Sequence, residues 1–478
     1  MYNEKMKLSI RQALLRAGDS PGIAFVGAGG KTTALFQLAR SLPSPVIVTA
    51  TTHLGAWQVE MADRHIITDS PAPLEELEHA LQGVILITGK LEGDRTQPVD
   101  DRLLPWLHEY CGSHDIPLLI EADGSRQRPL KAWADHEPAV PVFADQVVQV
   151  VGLSALGKPL NDDTVHRPEI FSRLSGRAPG NTITPEAIMQ VLTHPNGGLK
   201  NIPGGARRVV LLNQAETVEL QSTASRMVQP LLESYDSVVI ASLKDQQIFA
   251  VHESTAAVLL AAGDSSRYGK TKQLLDWHGE PFVHAVAKTA LEAGCAPVVV
   301  VTGANGEAVE MAVRDLDVVI LHNTAWKEGQ ASSIRAGLNA FRPPSPAGPL
   351  PQIQPSVSSD KNENSVVVPG RDRQRVGSAI FLLADQPQVT ASVLRALMAK
   401  HAEGLHPVVA PMVMDRRANP VLFDRLTFND LAALQGDVGG RAILHKYNVE
   451  YLPWHDDRLL LDVDTPEMYR RLISDDTL

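Results

Sequence analysis

Twice along this chain a β-branched apolar run ends in small residues and meets a lysine a few positions later: GIAFVGAGGKTT at 22–33 and STAAVLLAAGDSSRYGKTK at 254–272. A buried strand that runs into such a turn opens an α/β sheet with an anion site at its carboxyl edge. Similar runs flank both signals. PVIVTATT (45–52), GVILITG (83–89), PLLIEAD (117–123), DQVVQVVG (145–152) and RRVVLLN (207–213) lie between them, and APVVVVTG (296–303), LDVVILH (316–322), SAIFLLAD (378–385) and HPVVAPM (406–412) follow the second. Near-continuous apolar runs separated by amphipathic segments are the pattern of parallel strands buried on both faces. The chain has 478 residues, whereas a single core stops growing near roughly 250–300. The expectation is two tandem α/β domains, 1–250 and 254–478, meeting near QQIFAVHEST at 246–255.

Charge and composition narrow the function. The 44 basic against 55 acidic residues give a formal charge of −11, without the basic excess of a duplex-gripping protein, so nucleic acid is not the expected partner. No apolar run approaches the length of a membrane span, and the N-terminal residues lack a signal-peptide core. Two cysteines, Cys111 and Cys295, make no disulfide framework, and the expected compartment is the cytoplasm. The segment 342–377 is rich in Pro, Ser, Gly and charge, has no period, and reads as a disordered insertion inside the second domain.

In the first signal, Gly27, Gly29 and Gly30 permit positive φ and close backbone approach to a phosphate. Lys31 adds charge, the helix start adds its dipole, and Thr32, followed by Thr33, places a hydroxyl for Mg²⁺. The motif is the shortened GxxGKT form, since Phe25 stands six residues before Lys31. Glu121 and Asp123 end a later strand, as Walker-B metal carboxylates would. Thr51, Thr52 and His53 end another, with His53 the weaker catalytic candidate, and LLNQAE (211–216) departs from a base-reading NKxD at Gln214 and Glu216. The blocks GAGGKTT, VTATTHL, EADGSRQRPLKAWADHEPAVP, VVGLSALGKPLND and VHRPE resemble YqeC-type accessory proteins of selenium-dependent molybdenum hydroxylases over roughly 8–250. That resemblance implies a P-loop domain acting in cofactor maturation, with a purine nucleotide at Lys31, and draws attention to His136, Lys158, His166 and Arg167.

The second signal ends a strand at Ala261, Ala262 and Gly263, where minimal side chains let a nucleotide approach the backbone. Ser265, Arg267, Gly269 and Lys272 follow, with Arg267 and Lys272 placed to neutralise a triphosphate. Asp385 ends SAIFLLAD, and Asp462 and Asp464 follow another apolar run, with one of the latter two expected to reach a metal. LAAGDSSRYGKTKQLL, EGQASSIRAGL, LLADQP, RRANPVLF, GDVGGRAIL and DVDTPE resemble, in order, the MobA/MocA nucleotidyltransferases, most closely the molybdenum cofactor cytidylyltransferases, over about 254–475.

By that resemblance the fold is a P-loop-type parallel sheet followed by a Rossmann-like nucleotidyltransferase sheet. Ala261, Ala262, Gly263, Arg267 and Lys272 hold the nucleotide, and Asp385 with Asp464 hold Mg²⁺. Ser332, Ser333, Arg335, Asn419, Pro420, Gly436, Asp437 and Arg441 line the pterin side, with Asn419 standing where several relatives carry His. The implied reaction is CMP transfer from CTP to molybdopterin with release of pyrophosphate, serving an apo-hydroxylase of the xanthine dehydrogenase type. Guanylyl transfer, cytidylyl transfer to a sugar or polyol phosphate, and a non-catalytic cofactor carrier driven by the P-loop are the alternatives. Guanylyltransferases of this family carry LAGG where this chain has LAAG, and a methyl at Ala262 narrows the space beside the base in favour of a pyrimidine.

Overall fold

The computed structural model describes residues 7–16, 22–71, 81–100, 102–264, 271–341, 376–463 and 465–475. Ser265, Arg267, Gly269, Asp464 and the insertion up to residue 375 lie outside the described residues. The chain divides into two compact units, 1–252 and 253–478.

In the first unit, β1 (Gly22–Gly27), β2 (Val46–Ala50), β3 (Arg64–Ile67), β4 (Val84–Thr88), β5 (Leu118–Glu121), β6 (Gln146–Gly152), β7 (Arg207–Asn213), β8 (Ser237–Ser242) and β9 (Gln247–Glu253) form one sheet. Its order is β9-β8-β7-β6-β1-β5-β2-β4-β3. All neighbours from β8 to β3 run parallel, with Phe25 opposite Val148 on one side and Glu121 on the other. Every residue of β1, β2, β4, β5 and β6 is buried, which is why these strands read as unbroken apolar runs. From β1 the chain fills one flank with β2 to β5 and then crosses to the other with β6. The carboxyl end of β1 is therefore the switch point where open α/β sheets bind ligands.

The second unit has β10 (Thr255–Ala261), β11 (Val298–Thr302), β12 (Val319–His322), β13 (Ser378–Leu383), β14 (Val408–Val413), β15 (Arg416–Arg417), β16 (Val421–Asp424) and β17 (Val449–Pro453). The order is β12-β11-β10-β13-β16-β14-β15, with β17 pairing with β14 and β16 antiparallel to both its neighbours. Alternate residues of β10 serve opposite cores. Ala257 and Leu259 pack with Val283 and Val286, while Ala256 and Val258 pack with Ile334 and Leu338. Helix Gln330–Asn339 sits so close to the sheet that a Cβ on Gly337 would fall 2.4 Å from the Val258 side chain. After β11 and β12 the chain crosses to β13, so the switch point again lies at the end of the first strand, here β10.

The two patterns meet without a loop between them. The segment expected at the join is the edge strand β9, and β10 begins at Thr255. Edge strands carry polar residues on their open side, and β9 is mostly half-buried, which blurs its signal in QIFAVHE. No helix among the described residues is long and apolar enough to cross a membrane.

Candidate functional sites

The turn after β1 closes tightly on β6. Gly27, Gly29 and Gly30 have φ of 97°, 81° and 122°. A Cβ on Gly27 would fall 2.2 Å from the Val150 carbonyl oxygen, and one on Gly29 2.4 Å from the Gly152 nitrogen. Glycine is required here on both counts. The Ala28 N–H donates to the Val150 carbonyl (2.9 Å) and the Gly29 N–H to that of Arg128 (3.1 Å). The early glycines thus shape the turn. The N–H groups of Lys31, Thr32 and Thr33 open helix Lys31–Ser41, where they have no intrahelical acceptor and no side-chain cap, the arrangement that helix-start anion sites use.

Behind the turn lies a buried charge assembly. Lys31 Nζ donates to the Gly27 carbonyl (2.9 Å) and stands 3.2 Å from Asp123 Oδ1. The Asp123 carboxylate also accepts from the Gly27 N–H (3.0 Å) and the Trp133 indole (2.7 Å), and lies 3.0 Å from Lys131. Burial alone would raise the Asp123 carboxyl, but Lys31, Lys131 and the Gly27 N–H outweigh it and hold the group below the usual carboxylate range. Lys131 passes the chain of charges to Glu137 (3.1 Å), which binds Arg167. Glu121 is built differently: it accepts the Thr32 hydroxyl (3.0 Å), and burial pushes its carboxyl up. Of the expected metal set, Asp123 is therefore engaged by Lys31, Lys131, Trp133 and the turn itself, while Thr32 and Glu121 pair with each other at the helix start.

The remaining expectations for this unit sort by exposure. Asn213 gives its amide nitrogen to the Gly29 carbonyl (2.7 Å) and accepts the Leu243 N–H (2.9 Å), so it clamps the turn. Gln214 accepts from Ser154 (2.6 Å), and Thr51 donates to the Ala139 carbonyl (2.8 Å). His53, His136 and Lys158 are exposed, whereas His166 and Arg167 border the charge assembly. Lys131, Trp133, Glu137 and Gln58 were not singled out from sequence. The first three stand inside the EADGS block, where a lysine between apolar residues was the available signal.

The second switch point is more open. Ala261 and Ala262 are buried, and the Ala262 methyl faces β11, where a Cβ on Gly303 would lie 2.8 Å from it. Gly263 has ample room, since a Cβ there would find only Gln273 Nε2 at 3.8 Å. Lys272 Nζ lies 3.3 Å from Asp385 Oδ2. Burial pushes the Asp385 carboxyl up, Lys272 pulls it back, and the nearby Asp462 adds to the rise. Gln386 donates to Asp462 (2.8 Å), fixing that carboxylate beside the site. Among the described residues no cluster of three or more His, Cys, Asp or Glu is positioned around one metal position.

A cavity of about 320 Å³ is lined by polar residues that include Gln330, Arg417, Asn419, Asp437 and Arg441 and by apolar ones that include Leu260, Phe381 and Leu383. In sequence, Leu260 directly precedes the Ala261–Gly263 turn, and Leu383 precedes Asp385 by two residues.

A family model described as YqeC protein matches residues 23–169, and YqeC of Escherichia coli is 32% identical over 216 residues, 82% of that protein and 44% of this chain. The chain belongs to the YqeC family. Its second unit is a MobA-like NTP transferase domain, matched over residues 257–451. Nicotine blue oxidoreductase of Paenarthrobacter nicotinovorans is 29% identical over 225 residues, covering 45% of this chain and 95% of that protein. Molybdenum cofactor cytidylyltransferase of Escherichia coli is 24% identical over 223 residues, 44% of this chain and 91% of that protein.

Within the MobA-like unit, the expected pterin-side residues divide. Asn419, Asp437 and Arg441 line the cavity. Ser332 and Ser333, buried on the helix Gln330–Asn339, accept from Asn323 Nδ2 (2.8 and 3.0 Å), and Arg335 donates to the Leu434 carbonyl and pairs with Glu328. Gly436 and Asp437 pack on Gly329, with Asp437 capping the Gln330 N–H at 3.3 Å. Pro420 follows Asn419 in a cis peptide. Arg417 and Gln330, which do line the cavity, were missed: spacing gives no hint which residue of RRANP turns inward.

Proposed function

We propose that the MobA-like unit transfers CMP from CTP to the terminal phosphate of molybdopterin. The observation that carries this is the cavity of the MobA-like unit, lined by the residues that lead into the Ala261–Gly263 turn and Asp385, whose two arginines suit an acceptor phosphate and whose apolar side chains suit a flat heterocycle. An acceptor phosphate oxygen attacks the α-phosphorus of CTP, the bond to the α–β bridging oxygen breaks, and pyrophosphate leaves. The attacking oxygen is already ionised at neutral pH, so the chain supplies position and charge: Lys272 neutralises the α-phosphate, and Arg417 and Arg441 align the acceptor. Asp385 fits a hard cation, being a half-covered carboxylate pushed up by burial and faced by a single lysine pair. Asp385 and Asp464 would hold Mg²⁺, which when bound offsets the charge developing on the phosphates.

The YqeC-type unit acts with it as an accessory domain in hydroxylase maturation, holding a purine nucleotide at Gly27–Thr33. Its client is an apo-hydroxylase of the xanthine dehydrogenase type in the cytoplasm. The rival reading for the second unit comes from the relative named as an oxidoreductase, since a chain of that kind releases no pyrophosphate. Mixing the full chain with CTP, Mg²⁺ and molybdopterin separates the two. Stoichiometric pyrophosphate is expected, with CTP favoured over GTP by about 10-fold or more in competition, the scale of a small shape difference in a base pocket. Absence of pyrophosphate would refute transfer, and equal use of the two nucleotides would refute the cytidylyl assignment.

A further inference from the structure

Gln58 has unfinished bonding beside the first glycine turn. It lies on the 3₁₀ turn Ala56–Met61 and is 7% exposed. Its Nε2 donates to Thr32 Oγ1 at 2.9 Å, while its Oε1 is buried without a hydrogen-bond partner. The Thr32 hydroxyl has one proton and gives it to Glu121 at 3.0 Å, so towards Gln58 it can only accept. That fixes the amide with nitrogen on Thr32 and oxygen presented next to it as an unused acceptor. Buried acceptors are rarely left unused, and those that are point to a group that arrives later.

The turn holds Gln58 in place from both ends. The Ala56 N–H donates to the Asp94 carbonyl (2.8 Å), and the Met61 carbonyl accepts from Arg40 (2.8 Å), a residue of the helix that leaves the glycine turn. Arg40 in turn pairs with Asp63, just beyond the 3₁₀ turn. The amide is therefore held against Thr32, the second residue of the helix that follows the glycine turn.

We propose that Gln58 orients the attacking water for a nucleoside triphosphate held at Lys31, so that the first unit is a nucleoside triphosphatase. The inference rests on the nucleotide reading of Gly27–Thr33 given above. Gln58 Oε1 accepts one hydrogen of the water, whose oxygen attacks the γ-phosphorus. The bond from γ-phosphorus to the β–γ bridging oxygen breaks, leaving a nucleoside diphosphate and inorganic phosphate, and the proton released passes to the product phosphate. A neutral amide suits this role because it orients the water without competing for the proton.

The test uses the full chain, phosphate release from ATP and GTP with Mg²⁺, and calorimetric binding of a non-hydrolysable triphosphate analogue. Wild type should release phosphate, and Lys31→Met should abolish both release and analogue binding. Gln58→Met keeps the side-chain volume and removes the acceptor. It should lower kcat about 100-fold, the scale of losing one positioned catalytic hydrogen bond, with KM, analogue affinity and melting temperature nearly unchanged. Gln58→Glu keeps an acceptor oxygen but loses the donor to Thr32 and sets a second carboxylate beside Glu121, so it should not recover the loss. Wild-type turnover in Gln58→Met, or analogue binding without any hydrolysis by wild type, would overturn the inference while leaving the nucleotide site standing. Failure of wild type to bind the analogue would remove the nucleotide reading and the inference with it.

Discussion

Both units set a lysine against an aspartate at the carboxyl edge of a sheet, beside the strand where the chain reverses direction, yet the two pairs are built to opposite ends. The Lys31 and Asp123 side chains are 3% and 0% exposed; those of Lys272 and Asp385 are 15% and 30% exposed. Asp123 has a second lysine, an indole and a backbone N–H on its carboxylate, and is held below the usual carboxylate range. Asp385 has one lysine and a neighbouring carboxylate, and is pushed up. A buried charge with all its partners in place is a structural element, costly to break. A carboxylate held against its own solvation, with another carboxylate beside it, is poised for a cation that the fold does not itself supply.

One substitution made at both positions separates these roles. Asp123→Asn should destabilise the first unit by about 3–5 kcal/mol, the cost of removing one partner from a buried charge assembly. Asp385→Asn should cost no stability and can raise it, because it removes a charge that burial disfavours, while pyrophosphate release falls by orders of magnitude. Denaturant unfolding of each variant, read beside the transfer assay, gives both numbers. A stable Asp123→Asn, or an Asp385→Asn with normal transfer at limiting Mg²⁺, would erase the contrast.

How much of this contrast the sequence carried depends on the kind of feature. The central strands of both sheets were legible because residues buried on both faces leave an unbroken apolar run, as in FVG before Gly29 or LLA before Ala262. Edge strands such as β9 and short antiparallel strands such as β16 were not, since their pattern is mixed or hidden inside a motif. The turn glycines and Lys31 were legible from local order alone. The partners of Asp123 were not: Trp133 lies ten residues on, and only the fold brings its indole, Lys131 and the Gly27 N–H to one carboxylate. For Ser332 and Ser333 the sequence offered a family position, and only the fold shows them buried in the helix Gln330–Asn339 and bonded to Asn323. Gln58 carried no signal, because its meaning lies in one orphaned oxygen.

A smaller effect follows from the same closed charge assembly. His166 borders it, and burial, with the charges of Arg167, Lys131 and Arg126, pushes its imidazole down to about 4. An unfolded histidine titrates near 6.5. Between those values the unfolded chain binds the proton and the folded one does not, so the stability His166 contributes is whole above about 6.5 and is lost as pH falls towards 4. Melting temperature followed from pH 7 downward should therefore fall for wild type more steeply than for His166→Gln. Parallel curves would show that the charge assembly does not reach His166.

The smallest effect expected is none, and it tests whether the two switch points work separately. Each unit has its own central strand, its own small-residue turn and its own lysine, and the matching families meet the chain on separate stretches, 23–169 and 257–451. Lys31→Met keeps most of the buried stem, and Asp123 retains Lys131, so the first unit should stay folded while losing nucleotide binding. Cytidylyl transfer should then remain within about threefold of wild type, below the roughly 5–150-fold of real site-to-site coupling. Lys272→Ala should stop transfer and leave nucleotide affinity at Lys31 unchanged. A tenfold loss of transfer in a folded Lys31→Met would mean that nucleotide state in the YqeC-type unit sets the activity of the MobA-like one. Triphosphate hydrolysis would then gate the product's handover, and the closed and open pairs would be two halves of one cycle.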